Sequence, residues 1–230
     1  MKERQKIIYL TIDDCPSRDC KAKIDFLLKN KIPAILFCVG KRMERQPEDI
    51  VYAIKNGFII GNHSYRHPHF SVVNLKRIER EIALTDIIIN NLHKRAKVKR
   101  KIKIFRFPYG GRGLQFHNSA IQEILKKYGY KQPKFKNINY PFFKELGFDK
   151  SRDIFWTYDI SEWKIKKLKQ VILNIRRKRG NLKNLNSHDI VLIHDHSKTT
   201  KRFFKIIEKM LKKGIKFELP KITEKQYDNR

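Results

Sequence analysis

The stretch that decides the fold is Ile7-Ile8-Tyr9-Leu10-Thr11-Ile12-Asp13-Asp14, an apolar run that ends in two adjacent carboxylates. Short apolar runs of this length are typical of buried β-strands. Four similar runs also lead directly into polar residues: Phe58–Ile60 into Gly61–His67, Ile102–Phe105 into Arg106–Gly110, Ile154–Tyr158 into Asp159–Trp163, and Ile190–Ile193 into His194–His196. Because the carboxyl ends of parallel strands meet at one rim, we expect these polar groups to converge.

Helical patterns separate the apolar runs. Apolar residues recur mostly at three- and four-residue steps in five segments, 48–56, 74–95, 120–128, 164–179 and 200–213, and Asn74 is the expected N-cap of the second. With two further strands at 34–39 and 215–219, the pattern predicts an α/β fold of about seven parallel strands. We expect one domain over residues 1–230, with the weakly periodic stretch 131–153 forming a long loop near the rim.

The net charge of +30, from 53 Lys and Arg against 23 Asp and Glu, is the outlier in the composition. Such a charge attracts anions, which include nucleic acid, phosphate-bearing glycans and anionic lipid surfaces. No nucleic-acid-binding motif accompanies it, so nucleic acid is disfavoured. Peripheral contact with a membrane stays open, and nothing in the pattern fixes an oligomeric state. A residue bias spread over solvated faces is the simpler interpretation. The densest basic runs are 94–103 and 176–183.

The three cysteines, Cys15, Cys20 and Cys38, are an odd number at spacings that indicate no disulfide framework. We therefore expect free thiols in a reducing compartment. The first strand begins by residue 7, which leaves no room for a signal peptide before it, and no apolar run approaches the roughly 20 residues of a membrane span. The expected location is the cytoplasm.

The carboxylates and histidines suggest a metal site. Asp13 and Asp14 can take different roles, one as a metal ligand and one as a free base, although a turn-and-cap role before Pro16 is the alternative. His63 and His67 are four residues apart, a spacing that allows two imidazoles to share one ion. With Asp14 they would form a two-histidine, one-carboxylate set that leaves coordination positions open.

Two further residues suit catalysis at the same rim. The guanidinium of Arg106 can hold a carboxylate through two hydrogen bonds, although a surface ion pair is the default interpretation of an isolated arginine. His194 follows a buried-strand pattern and is a candidate general acid, because an imidazole can titrate near neutrality. His196, two residues further on, is the alternative acid.

Taken in order, these motifs resemble the polysaccharide deacetylase family, also called the NodB-homology family or carbohydrate esterase family 4. The matching motifs are Thr11-Ile12-Asp13-Asp14, His63-Ser64-Tyr65-Arg66-His67, Arg106-Phe107-Pro108-Tyr109, Asp159–Trp163 and Leu192-Ile193-His194-Asp195. The resemblance extends over about residues 6–219, and five motifs in the same order make it specific.

The resemblance implies a distorted (β/α) barrel, a divalent metal and hydrolysis of an N-acyl group, usually the acetyl group of an amino sugar. Zinc is the expected metal, with cobalt and nickel as alternatives. By position, Asp13 corresponds to the base, Arg106 to the residue that orients the base, and Asp14, His63 and His67 to the metal ligands. The backbone N–H of Tyr109 corresponds to the oxyanion donor, and His194 corresponds to the general acid. Leu192 and Trp163 correspond to residues that line the acyl pocket.

The chain departs from the family pattern at two positions. Cys15 stands where the family has Gly, so its thiol could approach the metal. Glu162 stands where the family has Asp, directly before Trp163. We expect Glu162 to contact Arg106 or His194 and to tune it, with Asp159 as the alternative for this role.

The leading hypothesis is therefore a metal-dependent N-deacetylase that acts on an N-acylated carbohydrate, which the charge suggests is anionic or phosphate-linked. A deformylase, or another hydrolase of linear or cyclic amides, would use the same residues. A second class is a non-catalytic carbohydrate-binding member of the fold, inactivated through Cys15 and Glu162. A non-haem iron oxygenase shares the two-histidine, one-carboxylate set, but Asp13 and His194 suit hydrolysis better.

Overall fold

A computed structural model describes residues 5–112, 115–165 and 180–222, with only the backbone of residues 115 and 116. The strands are β1 (Ile7–Cys15), β2 (Ile35–Cys38), β3 (Ile59–Asn62), β4 (Tyr158–Asp159), β5 (Asp189–His194) and β6 (Lys216–Phe217). The helices are α1 (Cys20–Lys29), α2 (Gly40–Arg45), α3 (Pro47–Lys55), α4 (Leu75–Ala96), α5 (Gln115–Lys127), α6 (Pro141–Glu145) and α7 (Thr200–Lys212).

The strands form a parallel sheet in the order β3-β2-β1-β5-β4, with β6 paired to the beginning of β1. Phe105 forms parallel bridges to Asn62, at the end of β3, and to Asp153, in the segment that continues into β4. These bridges connect the two outer strands, so the sheet curves into a distorted barrel. The predicted parallel α/β architecture is confirmed.

The described residues contain six strands instead of about seven. The predicted strand at 102–105 contributes only the bridges of Phe105, because the neighbouring strand β3 ends at Asn62, the residue that Phe105 meets. The bridge is held by hydrogen bonds from Asn62 N–H to the Ile104 carbonyl and from Arg106 N–H to the Asn62 carbonyl. The segment therefore reaches the rim with its carboxyl end fixed, which sets the position of Arg106.

Side chains alternate between the two faces of β1, as in any strand. Ile8, Leu10 and Ile12 pack outward in the core cluster that includes the flanking helices. Tyr9 packs inward, in a second cluster with residues of neighbouring strands such as Phe37, and full burial of one such side chain contributes about 1.5–3 kcal/mol. The same alternation carries Thr11 and Asp13 on the inward face.

The helices largely follow the predicted apolar pattern. The side chain of Asn74 accepts a hydrogen bond from the N–H of Arg77 at 2.9 Å, which confirms the predicted N-cap of α4. The buried residues of this 22-residue helix include Ile78, Ile82 and Ile89, and they form one stripe. The predicted helix at 164–179 lies almost entirely outside the described residues. No helix of the described residues has the length and apolar character needed to cross a membrane.

Most of the segment 131–153 lies away from the rim, contrary to expectation, and its end approaches the rim where Asp153 bridges Phe105. It contains α6 and packs against the amino ends of the strands, where the Tyr140 hydroxyl donates to Asp189 at 2.9 Å. The N–H of Lys131 likewise donates to the carbonyl of Lys103, which precedes the Phe105 bridge. A segment that follows a helix and precedes a parallel strand returns to the amino ends of the strands, so this position follows from the β/α order.

Candidate active site

The two carboxylates after β1 reach the rim by different routes. Asp13 extends the inward face of β1, and its side chain is nearly buried. Asp14 has a positive φ of 66°, which turns its side chain away from the ordinary strand alternation. Of the seven other described non-glycine residues with positive φ, four belong to loops at the carboxyl ends of strands or of the Phe105 segment: Ser64, His67, Tyr109 and Ser161. Backbone strain of this kind concentrates at functional sites, where the surrounding structure holds it in place.

Arg106 fixes Asp13. Its Nη1 donates to Asp13 Oδ1 at 2.8 Å and to Thr11 Oγ1 at 2.6 Å, and its Nε donates to the Ile154 carbonyl at 3.0 Å. The guanidinium lies 4.3 Å from the centre of the Phe37 ring and is almost fully buried. Because a buried charge must be paired, Arg106 and Asp13 hold each other in one geometry.

Asp14, His63 and His67 converge as predicted. The Nε2 atoms of the two histidines lie 3.2 Å apart, and Asp14 Oδ1 lies 3.1 Å from His67 Nε2 and 3.9 Å from His63 Nε2. Ligands about 2.0–2.2 Å from a tetrahedral cation lie roughly 3.3–3.6 Å from one another, so the three atoms have the spacing of a cation site. Asp14 Oδ1 is buried and has no hydrogen-bond partner among the described residues, as expected of an oxygen that serves as a cation ligand.

The ligand set has the protonation states that cation binding needs. His63 Nδ1 lies 2.9 Å from the Arg106 carbonyl, which can only accept, so Nδ1 carries the proton and the Nε2 lone pair faces the other ligands. Burial and the neighbouring His63 lower the pKa of His67 to about 4. Burial alone would raise the pKa of Asp14, but the hydrogen bond from His196 and the nearby His63 outweigh it and lower the pKa. At neutral pH His67 is therefore a neutral imidazole and Asp14 a carboxylate.

His196 contacts a metal-ligand candidate, a role that the sequence did not predict. Its Nε2 lies 2.7 Å from Asp14 Oδ2, the oxygen that faces away from His67. The alternative role of His196 as general acid is therefore disfavoured. The alternation of an extended segment could have indicated the placement, because residues 194 and 196 share a face. Arg42 was also missed: it donates to the Asp14 carbonyl, and its position at the end of β2, in the helix that follows, was the available signal.

His194 faces Asp13 across the β1–β5 pair. Its Nδ1 lies 3.4 Å from Glu162 Oε1, and the edge of the Trp163 ring packs against its imidazole, with centroids 4.7 Å apart. Burial lowers the pKa of His194, but the interaction with Glu162 and the charge of Asp13 outweigh it, so the pKa is raised. Asp159, the alternative partner, instead accepts from Ser161 N–H at 2.7 Å and Ser161 Oγ at 2.9 Å. Glu162 is thus the carboxylate at this histidine.

Exposed aromatic rings flank the histidines. Tyr109 has φ 58°, its side chain is 65% exposed, and its ring lies 4.5 Å from that of His67. Trp163 is 43% exposed on the His194 side. Leu192 is nearly buried on β5, next to Thr11 in the strand register. Exposed aromatic faces beside a polar site are suited to packing against the apolar face of a ligand ring.

Cys15 does not approach the Asp14–His63–His67 group. Its side chain is buried in the outer core cluster, and its Sγ lies 3.6 Å from the Ile12 carbonyl. Burial raises the pKa of this thiol, which keeps it neutral. Cys20 and Cys38 are also buried, and all three cysteines are free, as predicted. The core therefore accommodates the Cys15 side chain at the position where the family has Gly.

The sequences and structures of known proteins agree with this arrangement of site residues. The family model described as polysaccharide deacetylase matches residues 1–133. The chain is 26% identical over 218 residues to the peptidoglycan-N-acetylglucosamine deacetylase of Bacillus cereus, with 93% of this chain and 85% of that protein covered. For three other relatives the aligned part is 33%, 36% and 37% of their lengths.

Solved structures support the fold. A family 4 carbohydrate esterase from Streptomyces lividans superposes with a TM-score of 0.65 at 21% identity, covering 93% of this chain and 92% of that one. A family 4 pseudoenzyme from Bacillus anthracis superposes with the same TM-score of 0.65 at 20% identity, covering 98% and 67%. At these identities the likeness concerns the fold alone.

Proposed function

The chain belongs to the polysaccharide deacetylase family, and we propose that it is a metal-dependent hydrolase that removes an N-acyl group, in the first place N-acetyl, from an amino sugar or related carbohydrate. The observation that carries the proposal is the meeting of three functional groups at one rim. These are the Asp13–Arg106 pair, the Asp14–His63–His67 set and the His194–Glu162 pair.

Asp14, His63 and His67 would hold the divalent cation, for which we propose zinc, with cobalt and nickel as alternatives. When bound, the cation would supply Lewis acidity for activating water and polarising the acyl carbonyl. The contacts of the three residues favour this role: the Arg106 carbonyl sets the tautomer of His63, and His196 holds the far oxygen of Asp14. Partners of this kind orient metal ligands in known sites.

The remaining residues divide the proton transfers. Asp13, held by Arg106, would accept a proton from the attacking water. The backbone N–H of Tyr109 would donate to the oxygen that gains negative charge in the tetrahedral intermediate. His194, whose pKa is raised, would give its proton to the departing amine. Leu192 and Trp163 would line the space for the acyl group, and Glu162 would keep His194 protonated.

The proposal extends to the partners of the enzyme. The net charge of +30 supports an anionic or phosphate-linked carbohydrate over a neutral one. The free, buried thiols support a reducing compartment, and we propose the cytoplasm. A non-catalytic role is the competing hypothesis, but the base, the acid and all three ligand residues are retained, and neither Cys15 nor Glu162 disrupts their geometry.

The experiment that tests the function is a screen for acyl release. N-acetylated and N-formylated sugars are incubated with the protein in the presence of zinc, cobalt or nickel, and free acetate, formate and amine are measured. We expect release of one acyl group with a clear preference. Metal binding without release from any sugar would favour the non-catalytic alternative.

A further inference from the structure

A second feature of the rim is a groove that begins beside the site. Its volume is about 690 Å³, and Trp163 and His196 line it at the end that touches His194 and Asp14. Five cationic side chains also line it: Arg18, Arg42, Arg45, Lys198 and Arg202. They come from the loop after β1, from α2 after β2, and from the loop and helix after β5. All of them therefore lie at the carboxyl ends of strands.

Within the described part of the chain, the five cationic side chains of this groove form no ion pair. No carboxylate there lies within 4.0 Å of a nitrogen of any of the five side chains. The acidic residue among the lining residues is Asp195, and it already accepts from Ser17 N–H at 2.6 Å and pairs with Lys23. Asp195 therefore contributes little negative charge to the groove.

Several basic residues elsewhere in the described chain are paired with acids. In the run 94–103, Arg100 and Lys103 pair with Asp86 at 2.6 and 2.8 Å, and Arg95 pairs with Glu48. This run also precedes the Phe105 bridge, so it lies at the end of the barrel opposite the site. Residues 176–179 of the run 176–183 lie outside the described residues. Of these two described clusters, the groove is therefore the one that places unpaired cationic side chains beside the site.

We propose that this groove binds a phosphate or diphosphate group attached to the acylated sugar, while the sugar itself occupies the rim beside the metal-ligand set. The proposal rests on the proposed function and specifies its substrate class. Five cationic side chains around one volume suit an anion with more than one charge, and arginine forks match phosphate oxygens in particular. Two contacts couple the groove to the site: Arg42 donates to the Asp14 carbonyl, and Arg202 Nη1 to the Glu162 carbonyl at 3.5 Å.

The test uses a triple variant of exposed groove residues, Arg18→Gln/Arg45→Gln/Lys198→Gln. None of these three side chains belongs to the catalytic set. A matched control, Lys144→Gln/Lys150→Gln/Lys212→Gln, removes the same charge from exposed lysines outside the groove. Equal melting temperatures of both variants and the unchanged protein establish that folding is intact.

Two assays on the metal-loaded proteins separate the groove from the chemistry. The first is calorimetric binding of inorganic pyrophosphate. We expect the groove variant to bind about tenfold more weakly, which is about 1.4 kcal/mol, and the control to change less than twofold. The second is deacetylation of N-acetylglucosamine 1-phosphate compared with an uncharged N-acetylglucosamine oligomer. We expect kcat/KM of the groove variant on the phosphorylated sugar to fall about tenfold because KM rises. Its kcat/KM on the neutral oligomer should be unchanged.

Each outcome bears on one proposal. Pyrophosphate binding that persists in the groove variant, or that is lost in His63→Ala, would locate the anion at the cation and overturn the groove proposal. Weaker binding in the groove variant without any deacetylation by the unchanged protein would keep the groove and reject the enzymatic function. A further comparison of the soluble sugar phosphate with the same group on a polyprenyl chain in detergent micelles identifies the source of the phosphate.

Discussion

Glu162 Oε1 lies 3.4 Å from Nδ1 of His194, and the side chain of Glu162 is completely buried. A carboxylate in this position favours the protonated imidazole and contributes to the raised pKa of His194, against the lowering effect of burial. The arrangement suits a general acid, which must carry its proton when the amine departs.

Glu162→Gln should move the alkaline limb of the pH profile. His194 must be protonated to act, so the rate falls as the pH rises through its pKa. Because the amide removes the negative partner, that pKa drops and the limb moves to lower pH, by about one unit for each 1.36 kcal/mol of lost interaction. The measurement is kcat/KM against pH at constant metal content. Glu162→Asp is the control and should keep the limb near its original place; an unmoved limb in Glu162→Gln would remove this role from Glu162.

Asp13→Asn should abolish most turnover while the metal content stays unchanged. The amide cannot accept the proton of the attacking water, and loss of a general base typically costs about 10²–10⁴-fold. Asn keeps the shape of Asp, and its oxygen can still accept from Arg106, so the fold is retained. The measurement is the single-turnover rate beside metal analysis. Turnover near the original level would require another base.

Arg106→Met should destabilise the fold as well as the reaction. Arg106 is buried and pairs with Asp13 at 2.8 Å, so removing it leaves an uncompensated carboxylate, a change that typically costs about 3–5 kcal/mol. Urea unfolding measures this cost. Adding Asp13→Asn removes the stranded charge, so the double variant should lose less stability than the two single losses together. Strict additivity would show that the pair is not coupled.

His196→Ala should weaken metal binding without removing a ligand. His196 holds Asp14 Oδ2 at 2.7 Å, and loss of such an orienting partner typically costs about 10–100-fold in metal affinity. A competition assay with a zinc chelator measures the affinity. His93→Ala, at the far end of α4, serves as the control and should leave the affinity unchanged. Equal zinc affinities of the unchanged protein, His196→Ala and His93→Ala would show that His196 does not contribute to metal binding.

Much of this arrangement could be predicted from the sequence because strand periodicity and motif spacing are local properties. The apolar run before Asp13 and the four-residue spacing of His63 and His67 were enough to predict that these groups meet at the ends of parallel strands. The structure places the ligand atoms of Asp14, His63 and His67 within 4.8 Å of one another. The placement of Glu162 at His194 was one of two predicted contacts.

What the sequence did not predict depends on long-range placement. The segment 131–153 has no strong periodicity, and only the direction of the chain through the β/α order assigns it to the amino ends of the strands. The contact between His196 and Asp14 joins residues 182 positions apart, so strand alternation could place His196 on the face of His194 but could not identify Asp14 as its partner. The basic groove likewise combines side chains from the segments that follow three different strands, whereas the basic run 94–103, in which Arg100 pairs with Asp86, lies at the other end.

The central claim is that Asp14, His63 and His67 hold the metal on which carbohydrate deacetylation depends. Its most direct test measures metal content and acyl release together, for the original protein and His63→Ala, after chelation and after return of zinc, cobalt or nickel. We predict that chelation stops acyl release, that added metal restores it in the original protein, and that His63→Ala recovers neither full metal content nor turnover. Full metal occupancy with normal turnover in His63→Ala would contradict the account.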